Sequence, residues 1–259
     1  DRNCWTLKYA EVSDGVGFSL DIVPSVDEDI LIKNDIIDSG VSYSNAEKTV
    51  AITNKKVSEY NWLTSNPIGF GNWFLGISNQ HLTNDMKSKQ YNNLPYDIRM
   101  MFASAEKIPT YYYRSNLQRA VQFIKRHRDI YYDRIKLRND KPSSILISAL
   151  VADSVKDKWI LSVSEIVNAF IVGALNRSIS IMQDDKILNP VDLRENLIER
   201  YTDSKLNNMN KWIAELNNFM NIDDDRKFKQ IIHNDINTRV FAESFETPTI
   251  ITPTKPWKK

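Results

Sequence analysis

Three kinds of side chain in this sequence suit the handling of a phosphate-bearing substrate. The first is Asp21, a carboxylate in the middle of the strand-like run Gly17 to Val23 (GFSLDIV). A strand interior disfavours Asp, so the residue either faces water at a sheet edge or serves as a metal ligand in a cleft. The second is Lys125, inside the stretch 114–141, where nine Lys or Arg stand against three Asp. The third is the pair Ser143 and Ser144, which follow Pro142, a residue suited to the first turn of a helix. Free backbone N–H groups and the positive end of the helix dipole attract anions there. A carboxylate, an ammonium and a hydroxyl in this set fit a nucleoside triphosphate with Mg²⁺. Each also has an ordinary reading: an exposed edge Asp, a solvated basic helix face, and serines that only start a helix.

Other chemistries are poorly served. The single cysteine, Cys4, leaves no disulfide framework and no zinc-finger site. His81, His127 and His233 have no partner at metal-ligand spacing, and no G-x-S-x-G elbow occurs for acyl transfer. Gly69 and Gly71 do not continue into a phosphate loop, so core packing is expected around Trp73 and Phe74. Asp27-Glu28-Asp29 has a D-x-D spacing, but it lies just past Pro24 in a polar stretch and reads as a solvated charge run.

The elements that must position these residues are a hairpin and a run of helices. Residues 4–12 and 17–23 read as two strands with a Gly-containing turn, with Asp21 on the face shared by Ser19 and Val23. Residues 27–38 read as acidic and irregular, 48–54 as a short strand, 80–93 as polar and mobile, and 108–113 as a joint. From Ser115 a helix with Leu117, Ala120, Val121, Ile124 and Tyr131 on one buried stripe is predicted. A nearly all-apolar helix then starts at Pro142. A third helix is predicted over 164–182 with Ser164 as its cap, and amphipathic helices over 193–201, 209–220 and 228–245. The tail from Thr247 carries three prolines and is expected to be extended.

The composition, with 26% charged and 42% hydrophobic residues, is that of an ordinary globular chain. The net charge of +1 provides no general field for nucleic acid or membrane. No run reaches transmembrane length and no signal peptide is read, so a cytoplasmic, soluble protein is expected.

The sequence resembles the bacterial cGAS/DncV-like nucleotidyltransferases (CD-NTases, SMODS-type second-messenger oligonucleotide synthases). The residues that carry the resemblance occur in order: Phe18-Ser19-Leu20-Asp21-Ile22-Val23-Pro24; Trp62, Ser65-Asn66-Pro67 and Trp73-Phe74; Leu117 to Asp129 (LQRAVQFIKRHRD); Lys141-Pro142-Ser143-Ser144-Ile145; and Asn189-Pro190-Val191 with Glu195-Asn196. The resemblance implies an α+β fold, a partial polymerase-β-like nucleotidyltransferase sheet packed on a larger helical lobe. It assigns 1–114 to the core lobe and 115–259 to the helical lobe, with the active site between them.

The implied activity is the synthesis of cyclic di- or oligonucleotides from nucleoside triphosphates in anti-phage defence, with an effector or regulatory protein of a defence operon as partner. Asp21 would be the third carboxylate holding Mg²⁺, and Lys125 and Ser144 would contact the triphosphate. The sequence departs from the family in one respect. The Gly-Ser turn and D-x-D pair expected ahead of Asp21 are missing, and no Gly-Ser dipeptide occurs in the 259 residues. The chain is therefore expected to lack an N-terminal part and to be inactive as it stands. A non-catalytic nucleotide-binding or partner-binding module is the alternative, and a tRNA-directed transferase is disfavoured by the modest charge.

Overall fold

The computed structural model describes residues 4–8, 19–53, 62–103 (backbone only at 101–103), 113–177 and 179–222. They fall into two units, Asp1–Trp73 with Leu188–Asn196, and Phe74–Ile187 with Leu197–Lys259. The predicted boundary at 114/115 does not coincide with this division. The chain leaves the first unit at Trp73, and a hairpin near its C-terminal third returns to it.

In the first unit, strands β1 (Trp5–Lys8) and β2 (Ser19–Ile22) pair antiparallel with Thr6 opposite Asp21, as the alternation predicts. Strands β3 (Ser25–Asp27), β4 (Val50–Thr53) and β5 (Trp62–Ser65) form a second antiparallel sheet in sequence order. Between β3 and β4 lie helices α1 (Ile30–Asp38) and α2 (Tyr43–Ala46). The stretch read as irregular is thus helical. Asp29 caps α1 by accepting the Leu31 N–H at 2.8 Å, and Ile32, Ile36 and Ile37 recur on one face. That face packs with Val41, Ala46 and Leu193 as the small core of this unit. Gly40 closes the turn after α1 at φ +109°, a conformation that side chains with a Cβ rarely adopt.

Helix α3 (Pro67–Ser78) begins with proline at its first position. Asn66 serves as its cap: Oδ1 accepts the Gly69 N–H at 2.8 Å while Nδ2 donates to the Asn45 carbonyl at 2.9 Å. A Cβ at Gly69 would lie 2.4 Å from Asn66 Oδ1. The glycine is therefore needed to let the cap fold over the first turn, and neither it nor Gly71 belongs to a phosphate loop.

In the second unit, helix α4 (Asn84–Asn92) occupies most of the segment 80–93 expected to be polar and mobile, and helix α5 (Tyr96–Ala103) follows it. Helix α6 (Asn116–Arg134) has a full capping box, Ser115 with Gln118. Helices α7 (Ser144–Asp153) and α8 (Val163–Asn176) follow it. The cap of α8 is Ser162, paired with Glu165, rather than Ser164. The helix stops at Arg177, which takes φ +50°. The predicted continuation to 182 is replaced by β6 (Met182–Gln183), then a two-residue Asp184-Asp185 turn with both φ positive, then β7 (Lys186–Asn189).

The predicted helix over 193–201 is also absent. Strand β8 (Asp192–Asn196) pairs antiparallel with β7, turned by Asn189 accepting the Val191 N–H around Pro190. Helix α9 (Asp203–Met220) forms over the last predicted helix that falls within the described residues. The predictions for 228–245 and for the tail lie outside the described residues.

Helix α6 packs against α7, α8 and α9. With three neighbours it buries far more than one stripe. Phe123, His127 and Arg128 join the apolar residues, and Tyr132 is enclosed in place of Tyr131. Trp212 of α9 and Phe170 of α8 complete this core, with ring centres 6.2 Å apart. Among the described residues no helix is long and apolar enough to cross a membrane.

Candidate functional site

Asp21 stands on the polar face of the β1–β2 hairpin. Its Oδ1 accepts the Thr6 hydroxyl at 2.6 Å, and the residue is exposed. Thr6 sits directly opposite in the register, so the pairing itself orients the carboxylate. The D-x-D residues are engaged elsewhere. Asp27 pairs with the buried Lys33, whose hydrogen bond holds the carboxyl below the usual range, and Asp29 is the cap of α1. Both have structural work, which is more than the solvated charge run read from the sequence.

Lys125 and Ser144 lie in the second unit. Lys125 is half-buried on the flank of α6 while its neighbour Arg126 is exposed. Burial depresses the Lys125 ammonium below the ordinary lysine range, and the nearby Arg128 cation adds to this against a partial offset from Asp129. Helix α7 starts two residues later than predicted. Pro142 precedes it, Ser143 is the N-cap with its hydroxyl on the Leu146 N–H at 3.2 Å, and Ser144 is the first helical residue. The Ser143 N–H is taken by the Tyr201 hydroxyl at 3.0 Å. Ser144 itself is exposed, and its N–H and that of Ile145 point out of the first turn, where helix geometry leaves donors free.

The residue that joins α6 to this helix start is Arg128. Arg128 belongs to the basic helix face whose ordinary reading is solvation, but it is buried, with 5% exposure. Nε and Nη2 donate to Asp129 Oδ1 at 3.0 and 2.8 Å. Nη1 donates to the Pro142 carbonyl at 2.7 Å and to Ser144 Oγ at 3.3 Å. Lys141 adds an ion pair to Asp129 Oδ1 at 2.9 Å. The signal was present in the sequence as spacing, since Arg128 follows Lys125 by three residues on one helix face. Lys125, Arg128 and Ser144 therefore form one basic, donor-rich cluster with a single carboxylate in it. Donors of this kind are chemically suited to a polyanion.

The imidazole of His127, adjacent in sequence, takes no part. Its Nδ1 accepts the Trp212 indole N–H at 3.1 Å between Phe123 and Phe219, and burial drives its pKa down to about 4. Among the described residues no group of three or more His, Cys, Asp or Glu is placed to hold a metal ion. Asp21 stands as a single exposed carboxylate bonded to Thr6, whereas Mg²⁺ usually takes one or two carboxylates together with phosphates and water.

No family model matches the chain. The chain is 31% identical over 165 residues to the c-di-GMP synthase of Roseivirga ehrenbergii, an alignment covering 62% of this chain and 39% of that protein. It superposes on the Bradyrhizobium diazoefficiens CD-NTase CdnG, solved in complex with GTP, with a TM-score of 0.60 at 20% identity. That superposition covers 94% of this chain and 66% of the other. The chain thus spans about two fifths of the length of the curated relative it matches. The fold is the α+β nucleotidyltransferase fold. That fold is shared with the CD-NTase CdnG, and over 165 residues the sequence is similar to that of the c-di-GMP synthase.

Proposed function

We propose that these 259 residues form the triphosphate-binding part of a cyclic nucleotide synthase that joins nucleoside triphosphates into a second messenger for anti-phage signalling. The observation that carries the reading is the cluster on α6 and α7: the half-buried Lys125 near the Arg128 and Asp129 charges, with Arg128 bonded to Ser144 at a helix start. A nucleotide's phosphates meet there one mobile cation, one hydroxyl and first-turn N–H groups. Two relatives support it, one named as a c-di-GMP synthase and the other solved with GTP.

In this reading Asp21 contributes one carboxylate to Mg²⁺, which when bound would offset charge on the attacking and leaving oxygens. Thr6 holds that carboxylate's direction. Two metals need more acidic ligands than Asp21, and Asp27 and Asp29 are committed to Lys33 and to the α1 cap. Synthesis by these residues alone is accordingly expected to fall below detection, and addition of a segment bearing a Gly-Ser turn and a carboxylate pair to restore it. An effector protein of the same defence system is the expected reader of the product.

The test is calorimetric titration of a non-hydrolysable nucleoside triphosphate with Mg²⁺. Lys125→Ala should weaken binding by about 1.5–3 kcal/mol, the range for charge-assisted hydrogen bonds, and Arg126→Ala far less. Equal losses would mean that only diffuse positive charge matters, and the site would be abandoned.

A further inference from the structure

We infer that Arg128 is a positioning residue of the triphosphate site, holding the Ser144 hydroxyl so that its O–H is presented to a phosphate oxygen. The inference rests on the reading of Lys125 and Ser144 as triphosphate contacts.

Four of the five N–H groups of the guanidinium are already taken within its own chain. Its three nitrogens make four hydrogen bonds, all to groups of its own chain: two to Asp129, one to the Pro142 carbonyl and one to Ser144 Oγ. A serine hydroxyl has one proton and two lone pairs. Because Arg128 can only donate, it occupies a lone pair of Ser144 and leaves the proton to find another acceptor. Phosphate oxygens only accept, so the hydroxyl is set in advance for an anion and against a donor ligand.

The same bonds fix the helix start in space. The Pro142 carbonyl and Ser144 Oγ, on either side of the Ser143 cap, are both held by Nη1, and Ser143 is held in turn by Tyr201. Asp129 neutralises the arginine and also takes Lys141. The charge left over for a ligand is therefore concentrated on Lys125, one turn earlier on α6. Lysine would not replace Arg128, because a point-like ammonium cannot reach Asp129 on one side and Pro142 with Ser144 on the other through a planar fork.

The test is a double-mutant cycle read by titration of a non-hydrolysable GTP analogue with Mg²⁺ into the 259-residue chain. Wild type, Arg128→Lys, Ser144→Ala and the double variant are compared, with thermal midpoints to confirm folding. Ser144→Ala and Arg128→Lys should each weaken binding by about tenfold, the loss for a net hydrogen bond to a charged group. The double variant should be no weaker than Ser144→Ala alone, since orienting an absent hydroxyl has no value. Guanosine binding should be unchanged throughout.

A double variant weaker by the product of the two single losses would overturn the inference. Lys125→Ala in the same series separates the two readings. Unchanged affinity there removes the site, whereas a loss there without coupling between Arg128 and Ser144 removes only the positioning role. If Arg128→Lys fails to fold, Asp129→Asn loosens the same fork. It should weaken binding several-fold with Ser144 present and not in the Ser144→Ala background. Equal losses in both backgrounds refute the inference.

Discussion

Acidification from pH 7 to 5 should destabilise the second unit through His127. The imidazole is buried to 8% exposure among Phe123, Phe219 and Trp212, with Glu215 and Arg134, themselves paired at 2.8 Å, as the charged groups facing it. Its pKa is about 4 in the fold against the ordinary 6.5, with burial as the main cause. The unfolded chain therefore binds a proton between pH 6.5 and 4 that the folded chain refuses. Stability from this group is fully present above pH 6.5 and is lost as the pH falls toward 4. A difference of about 2.5 units corresponds to about 3 kcal/mol in all, of which about 2 kcal/mol falls between pH 7 and 5.

The assay is urea unfolding at both pH values for wild type and His127→Asn. Asparagine keeps an acceptor for the Trp212 indole near the position of Nδ1 and does not titrate. The variant starts less stable because it leaves a void, so the readout is the change with pH rather than the absolute value. Wild type should lose about 2 kcal/mol more than the variant. His81, also held below its ordinary pKa by burial, contributes equally to both proteins. Parallel losses would show that His127 is not the group that titrates, and the account of its burial would fail.

Three further outcomes are expected. Gly69→Ala should dislodge the Asn66 cap, whose Oδ1 would lie 2.4 Å from the new Cβ, and cost about 1–3 kcal/mol by thermal or urea unfolding. Asp153→Ala should cost a similar amount, about 1–3 kcal/mol by the same assay. Asp153 is buried with the Ser180 hydroxyl proton shared between its two oxygens, at 2.6 and 2.7 Å, and it pairs with the partly exposed Lys156 at 3.2 Å. Triphosphate affinity measured against pH should fall on the alkaline side before the ordinary lysine range is reached, because Lys125 loses its proton early. In Lys125→Arg that fall should vanish, and an unchanged profile would remove Lys125 from the site.

Local signals carried much of the fold. Alternation at 5–8 and 19–22 was enough for the hairpin, Pro67 for the start of α3, and the apolar recurrences after Ser115 and Met209 for α6 and α9. The misreadings share one cause, which is structure held by side chains distant in sequence or by unusual backbone. The isoleucines of 30–38 look dispersed until Asp29 caps the helix and Val41, Ala46 and Leu193 cover it. Met182 of β6 and residues 193–196 of β8 were read as helix because an Asp-Asp turn with positive φ is a weaker sign than Asn-Gly, and because Asn189 makes its turn through its own side chain.

For the site, the sequence by itself determined which residue types were available: one mid-strand carboxylate, a basic helix and serines after a proline. Only the tertiary structure decided how they are used. Thr6 reaches Asp21 because strand register sets them opposite one another. Asp27, though exposed, is paired with the buried Lys33. Arg128 shared a helix face with Lys125 by spacing, but only the packing shows α6 turning it inward against Pro142 and Ser144 while Arg126 faces solvent. A one-dimensional pattern specifies which face a residue occupies within its own helix, but burial depends on what packs against that face. Three helices crowd α6, so that only the packing could select which of its cations are buried and which are left exposed.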